Sequence, residues 1–225
     1  MAHDLHNAIQ AMLEAMRPLP GDGPHLKPGG PVYCLSRDYG TPGDDIGRKL
    51  AAKLGVGYYD AEILNKLVQR TGADPDAMRV IDEGVAKARD LWLYSLVTGQ
   101  DLSRDTYKRH LINVIMSLGR LGGVIAGRGA HIVLAKTPAV RVRITGSLDI
   151  CAKRIAAKEG LSLEAAKQKV QQVNHDRGTY VWDTYQARLN DPTGFDLTIN
   201  TDRIQDEEMV VDLLVKARDL VGKQG

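Results

Sequence analysis

The stretch SRDYGTPGDDIG, Ser36–Gly47, decides the fold. It follows the apolar run VYCL and leads into an amphipathic segment, which predicts a buried strand, a glycine-bearing turn and a helix. Backbone N–H groups at the start of such a helix converge on one point, where the helix dipole adds positive potential. Gly40 and Gly43 allow the backbone to curl around an anion. The stretch is therefore a candidate phosphate-binding turn.

This turn lacks two parts of the usual phosphate loop, GxxxxGK[ST], in which a lysine meets the terminal phosphates and a hydroxyl meets magnesium. Counted back from the helix, Gly43 takes the place of the lysine, and Asp44 and Asp45 fall near the hydroxyl. Pro42 also removes one N–H donor. Arg37, next to the turn, is the local candidate for the missing cation.

The two aspartates allow two interpretations. Acids in a first helical turn are favourable partners for the N–H groups and the dipole of any helix. Bare carboxylates repel a phosphate, so a phosphate role for Asp44 and Asp45 requires a magnesium ion between them and the phosphate oxygens. Composition and spacing leave both interpretations open.

Bulk composition excludes several classes of protein. The 225 residues are 43% hydrophobic and 26% charged, which is typical of a globular protein. A formal charge of +2 does not suggest a nucleic-acid or acidic-membrane partner, and no apolar run reaches 18 residues. Cys34 and Cys151 have no metal-binding spacing and are predicted to be reduced, buried thiols. We therefore expect a cytoplasmic protein that does not bind membranes.

The chain divides near residue 31. Residues 1–16 have the spacing of a short amphipathic helix, and Arg17–Pro31 form a linker rich in proline and glycine. Residues 32–225 are expected to form one α/β domain, because predicted strands alternate with predicted helices. That alternation indicates a five-stranded parallel sheet with helices on both faces, and an irregular helical region covers about 75–98. The predicted strands are 32–36, 56–59, 122–127, 139–145 and 195–201.

Four segments in order carry a resemblance. SRDYGTPGDDIGRKLAAKLGVGYYDAEIL (36–64), VIAGRGAHIVL (124–134), NHDRGTYVWDTY (174–185) and GFDLTINTDRI (194–204) together resemble the cytidylate kinase-like family, a divergent branch of the P-loop nucleoside monophosphate kinases. The resemblance runs from about residue 32 to the C-terminus. It implies a P-loop NTPase-like three-layer sandwich with a helical lid. It also implies phosphoryl transfer from ATP to (deoxy)cytidine monophosphate with Mg²⁺.

The resemblance also implies site residues. A triphosphate and magnesium site would be formed by Ser36, Arg37, Gly40, Thr41, Gly43, Asp44 and Asp45. Asp60 would begin the segment that binds the monophosphate, and Arg128 would hold the acceptor phosphate. Arg154 and Arg177 would reach in from the lid. Arg37, Arg128, Arg154 and Arg177 together are the candidates for the charge that the absent lysine would supply.

Plainer roles remain open for each of these side chains. Asp60 has the position of a helix cap, and Arg128 could cap a neighbouring helix. Arg154 and Arg177 have the positions of solvated helix residues. The aromatic residues near the motifs more often pack on a core than stack on a base, and this is the role expected of Trp182.

The sequence departs from the family pattern at three positions. Pro42 replaces a glycine of the turn, Asn174 replaces the lid aspartate, and Gly129 replaces an aspartate that contacts the nucleoside. These departures favour an alternative in which the chain binds a nucleotide without transferring phosphate. A third possibility is an interaction domain that recruits a partner through its N-terminal helix.

Overall fold

A computed structural model of the protein describes residues 29–70 and 104–221. The predicted N-terminal helix, most of the predicted linker and the predicted helical region at 75–98 lie outside the described residues. Within the described residues, no helix is both long enough and apolar enough to cross a membrane.

Strands and α-helices alternate along the described chain almost where the periodicity predicts them. The strands are β1 (Val32–Arg37), β2 (Tyr58–Tyr59), β3 (Gly123–Ala126), β4 (Val140–Thr145) and β5 (Leu197–Asn200). The α-helices are α1 (Gly43–Leu54), α2 (Ala61–Arg70), α3 (Arg104–Leu121), α4 (Ala130–Val133), α5 (Leu148–Glu159), α6 (Leu163–Tyr185) and α7 (Glu207–Val221).

The five strands form one parallel sheet in the order β2-β3-β1-β4-β5. Strand β1 is central, with Leu35 beside Ala126 of β3 and Ser36 beside Arg143 of β4. Carboxyl ends of parallel strands meet at one edge, where α/β sheets bind ligands. The turn after β1 therefore lies in the middle of that edge, as the sequence predicts.

Each face of the sheet is covered by helices. Side chains of β1 alternate between the faces: Tyr33 and Leu35 pack with α1 and α7, whereas Cys34 packs with α3. Both resulting cores are fully buried, and the Tyr33 hydroxyl donates a 3.0 Å hydrogen bond to the carbonyl oxygen of Leu214. The predicted three-layer α/β sandwich is confirmed.

Helices α5 and α6 form a hairpin with a small core of its own, which includes Cys151, Ile155 and Val170. Both helices begin at a serine whose hydroxyl caps the first turn, Ser147 for α5 and Ser162 for α6. This hairpin is the helical lid that the family resemblance implies.

Two expectations about buried side chains have opposite outcomes. Cys34 and Cys151 are both buried free thiols, as predicted. The prediction that Trp182 packs on a core is wrong, because this side chain is 48% exposed. Its neighbour Val181 is buried, and successive residues of a helix point about 100° apart, so Trp182 faces outward.

Candidate functional site

The turn after β1 is held by short-range contacts and by close approach to the lid. The Thr41 hydroxyl donates a 2.8 Å bond to the Asp38 carbonyl oxygen. Gly40 has a φ of 87°, and a Cβ there would lie 2.7 Å from the carbonyl oxygen of Cys151 in α5. A residue with a side chain would be strained in this conformation and would push the lid away. Gly40 therefore serves both the turn and the docking of α5.

Arg37 extends across the start of α1. A Cβ at Gly43 would lie 2.6 Å from the Arg37 Cβ, and a Cβ at Gly127 would lie 2.8 Å from its Nη1. The Arg37 Nε donates a 2.9 Å bond to Asp44 Oδ1. The guanidinium thus reaches from the candidate phosphate-binding turn to the turn after β3. It supplies positive charge beside the position where the usual loop has its lysine.

Asp44 is an anchor for Arg37. Its Oδ1 accepts bonds from Arg37 Nε at 2.9 Å and from the Tyr58 hydroxyl at 2.6 Å. Burial alone would raise the pKa of this carboxyl, but the Arg37 charge and the two hydrogen bonds outweigh it and hold the pKa below its usual value. Asp45, in contrast, is exposed and lines the adjacent cavity. Asp45 is therefore the better placed of the two predicted magnesium ligands.

The hydroxyl of Tyr58 fixes this arrangement, which gives a first prediction. Tyr58→Phe removes one bond to Asp44, so we expect ATP affinity to fall about fivefold and the free energy of unfolding to fall by about 1 kcal/mol. Tyr33→Phe is the matched control, because it removes a hydroxyl bond that lies far from the site. It should lower stability and leave ATP affinity unchanged in calorimetric titration. Equal ATP affinity in the two variants would contradict the role of Tyr58.

Arg177 of α6 lies beside Arg37. Its Nη1 donates a 2.8 Å bond to the Arg37 carbonyl oxygen, and its guanidinium lies 5.8 Å from the centre of the Tyr39 ring. Burial and the neighbouring Arg37 charge lower its pKa to about 10, so it stays protonated at neutral pH. Two guanidinium groups therefore lie close together with Asp44 as their near counterion. Such an arrangement favours an added anion.

These residues border a polar cavity of about 490 Å³ between the turn, the lid and the start of α7. Four carboxylates line it, and one of them, Asp38, is paired with Arg143, which does not line the cavity. Lys153 and Lys158 are lining residues that the sequence analysis missed. Five cationic side chains line the cavity: Arg37, Lys153, Arg154, Lys158 and Arg177.

Arg154 has a defined partner at the edge of this cavity. Its Nη1 and Nη2 donate to the hydroxyl and the carbonyl oxygen of Thr201, at 3.1 and 2.7 Å. These bonds connect α5 to the segment that follows β5. Arg154 is thus less solvated than a surface helix residue. Its guanidinium connects the lid to the segment after β5, and the side chain also lines the cavity.

Other predicted site residues lie away from this cavity. Asp60 caps α2, since its Oδ1 accepts a 3.0 Å bond from the Ile63 N–H, which confirms the capping role. The Arg128 guanidinium lies 5.0 Å from the centre of the Tyr180 ring, and the backbone of Arg128 has an unusual φ of 52°. Ser36 is buried, and its hydroxyl accepts a 2.7 Å bond from Arg143.

The ring of Tyr185 explains the glycine at position 129. A Cβ at Gly129 would lie 2.2 Å from this ring, and the Tyr185 hydroxyl donates a 2.7 Å bond to the Arg128 carbonyl oxygen. The family aspartate at this position has no room beneath Tyr185. In this chain the end of the lid helix therefore packs directly on the turn after β3.

A buried ion pair below the phosphate-binding turn was missed by the sequence analysis. Arg143 donates to Asp38 at 2.5 Å, and the Thr145 hydroxyl donates to the same carboxylate at 2.6 Å. The available signal was the alternation of arginine and valine in β4, which indicates that the arginines have polar surroundings. On this face of β4 the arginine meets a carboxylate.

The buried side chain of His131 should make the free energy of unfolding depend on pH. It is buried and stacks on Phe195, with ring centres 4.5 Å apart. Burial first, and then the charges of Arg143 and Arg141, lower its pKa from 6.5 to about 4. Between these values the unfolded chain binds the extra proton, so stability falls as the pH drops through this window.

We expect this histidine to account for a loss of about 3 kcal/mol between pH 6.5 and pH 4. Urea unfolding across that range, compared with His131→Gln, isolates the contribution from that of the carboxylates. Parallel curves for the two proteins would contradict the prediction.

A model of the cytidylate kinase-like family matches residues 32–203. The chain belongs to this family. The chain therefore has a kinase-like, nucleotide-binding fold, as the motifs and their order predict. A search of curated proteins finds no match.

A solved structure shares the fold, and two kinase structures align over most of their length. An uncharacterized protein from Eubacterium ventriosum superposes with a TM-score of 0.65 at 20% identity, covering 84% of this chain and 98% of its own. A gluconokinase from Sinorhizobium meliloti has a TM-score of 0.48 at 15% identity, covering 88% of this chain and 96% of its own. A shikimate kinase from Bacteroides thetaiotaomicron has a TM-score of 0.46 at 16% identity, covering 84% and 98%.

Proposed function

We propose that this protein binds ATP in the polar cavity of about 490 Å³. The terminal phosphoryl group would be transferred to a nucleoside monophosphate, which is (deoxy)cytidylate or a related nucleotide. One observation carries the proposal: Arg37 and Arg177 line one cavity together with the first residues of α1, and Arg177 donates a 2.8 Å bond to the Arg37 carbonyl oxygen. That is the place where backbone N–H groups favour a phosphate.

Phosphoryl transfer depends on position and on positive charge around the transferred group. The N–H groups in the first turn of α1 would hold phosphate oxygens, and Arg37 and Arg177 would neutralise the charge that develops on them. Lys153 and Lys158 would add charge from the lid, since both line the cavity.

A magnesium ion fits this site through Asp45 and phosphate oxygens. Within the described residues no group of three or more His, Cys, Asp or Glu side chains suits a metal, and magnesium commonly combines one or two carboxylates with phosphate oxygens. Asp44 is already bonded to Arg37 and Tyr58, so Asp45 would be the protein ligand. The ion, when bound, would neutralise phosphate charge.

The acceptor would lie on the other side of β1. Strand β3 lies next to β1 on that side and β2 lies beyond it, and the carboxyl ends of β3 and β2 lead to Arg128 and Asp60. Arg128 would bind the phosphate of the acceptor. Asp60 would begin the segment that binds the acceptor monophosphate. Donor and acceptor would then approach the phosphate-binding turn from opposite sides.

A second candidate function is a nucleotide-binding module without transfer activity. It is favoured by the absence of lysine from Ser36–Gly47 and by the bonds that already engage Asp44. In this alternative the same cavity binds a nucleotide, and the lid responds to it.

An assay of ADP release with CMP, dCMP, UMP and AMP as acceptors, in the presence of Mg²⁺, distinguishes the two functions. Thermal stabilisation by ATP is measured on the same preparation. Acceptor-dependent ADP release supports the kinase, and Arg128→Met should abolish it while ATP still stabilises the protein. Stabilisation without turnover favours the module, and the absence of stabilisation by any nucleotide overturns both functions.

A further inference from the structure

A second cavity, of about 440 Å³, lies on the other side of Asp38 from the first. Residues of β4, β5 and α6 and the segment that precedes β5 line it, and Asp38 borders both cavities. Its volume is within the range of small-molecule sites. The family resemblance assigns no ligand to this cavity, although Asn174 in its lining stands at the position of the lid aspartate.

The charge of this cavity differs from that of the first. Asp38 and Arg143 are its only charged lining residues within the described chain, and they form an ion pair at 2.5 Å. Arg143 is buried and also bonded to Ser36, so its charge is balanced within the protein. A cavity of this kind favours an uncharged ligand over an anion, because no net positive charge remains to compensate the desolvation of an anion.

Two asparagines of the lining have a defined orientation. Asn174 Oδ1 accepts a 2.8 Å bond from the Tyr39 N–H, and Asn190 Oδ1 accepts a 2.9 Å bond from Arg143 Nη2. Both partners can only donate, so the oxygen of each amide must face them. Neither amide NH₂ has a partner among the described residues, and both remain available to donate to a ligand.

Part of the remaining wall is apolar, whereas Thr145, Gln171 and Thr198 add polar groups. Leu148, Val170, Pro192 and Phe195 line it, and Phe195 is supported from behind by the stacked ring of His131. Apolar side chains combined with amide donors suit a planar ring that carries polar atoms. The donors select carbonyl oxygens on that ring.

We propose that this second cavity binds a neutral, planar ring compound with carbonyl oxygens, the chemistry of a nucleobase. Asn174 and Asn190 donate to the carbonyl oxygens, and the apolar wall packs on the ring. The site is independent of phosphoryl transfer, since none of these contacts requires ATP.

Calorimetric titration of the full chain without ATP tests the proposal, with uracil, uridine and nicotinamide as probes and malonate as the anionic counter-probe. We expect one saturable site for at least one ring probe and none for malonate. Asn190→Asp keeps an acceptor for Arg143 but loses the NH₂ donor, so affinity should fall about tenfold. Asn174→Asp should act in the same way.

Asn200→Asp is the matched control. The Asn200 amide oxygen also accepts a backbone N–H, from Asp202 at 2.8 Å, but Asn200 lines neither cavity. Its affinity for the ring probe should equal that of the parent chain. The proposal is overturned if none of the ring probes binds. It is also overturned if malonate is the only probe that binds. Ring binding that both Asn174→Asp and Asn190→Asp leave unchanged also overturns it, because the ligand then lies elsewhere.

Discussion

Replacing Arg177 with methionine should abolish phosphoryl transfer and weaken ATP binding about a hundredfold. A hydrogen bond to a charged group contributes about 1.5–3 kcal/mol, and the larger value corresponds to this factor. Arg177 is half-buried over the phosphate-binding turn and bonded to the Arg37 carbonyl oxygen, so its charge is held where the phosphates would lie. Methionine retains the length and apolar character of the stem, which preserves packing against Tyr39.

The fold should survive this change. The Arg177 pKa is lowered to about 10, first by burial and then by Arg37, so the folded protein holds this charge at a cost. Removing it relieves that repulsion, and we expect the melting temperature to stay within a few degrees of the parent value.

Arg218→Met, in the exposed last turn of α7, is the control for an arginine-to-methionine change. It should leave both ATP affinity and turnover unchanged. Parent-like turnover in Arg177→Met, measured as ADP release, would exclude a catalytic role for Arg177. A large fall in melting temperature would instead identify a structural role.

Arg177→Lys adds a finer comparison. Lysine keeps the charge but has no planar fork for two parallel bonds to phosphate oxygens. We expect it to recover part of the ATP affinity and less of the turnover.

Much of the backbone could be predicted from local pattern. The step from a buried strand through Gly40 to α1 follows from the change of apolar spacing within a few residues, and so do the serine caps of α5 and α6. These features depend on neighbours along the chain, which is why sequence predicts them. The order of the strands was not predicted, because pairing of β1 with β3 and β4 joins segments that are distant in the sequence.

The side-chain network of the site was less predictable. Arg37 was identified as the local cation, but its path depends on the missing Cβ atoms of Gly43 and Gly127, which come from different turns. Asp44 was expected near a metal or a helix dipole, and its bond to Tyr58 depends on where β2 places that ring. Contacts of this kind form only when the sheet is assembled.

Gly43→Ala should damage the site by displacing Arg37. The added Cβ would lie 2.6 Å from the Cβ and 2.9 Å from the Cγ of Arg37, and 3.3 Å from the Thr41 hydroxyl. The Arg37 Cβ is fixed to the backbone of β1, so it does not move aside as the end of a flexible side chain would. Either the start of α1 or the end of β1 must shift, and the Arg37 guanidinium shifts with it.

We expect Gly43→Ala to lower the free energy of unfolding by about 1–3 kcal/mol, the usual cost of overpacking, and to reduce ATP affinity at least about tenfold. Gly178→Ala in α6 is the matched control, because nothing lies within 4 Å of its added Cβ. That change should raise stability by about 0.5–1 kcal/mol, since alanine is favoured over glycine within a helix. Urea unfolding and ATP titration on both variants measure the contrast. A stabilised Gly43→Ala protein with parent-like ATP affinity would show that Arg37 does not occupy the start of α1. In that case the positive charge of the site would have to come from the lid alone.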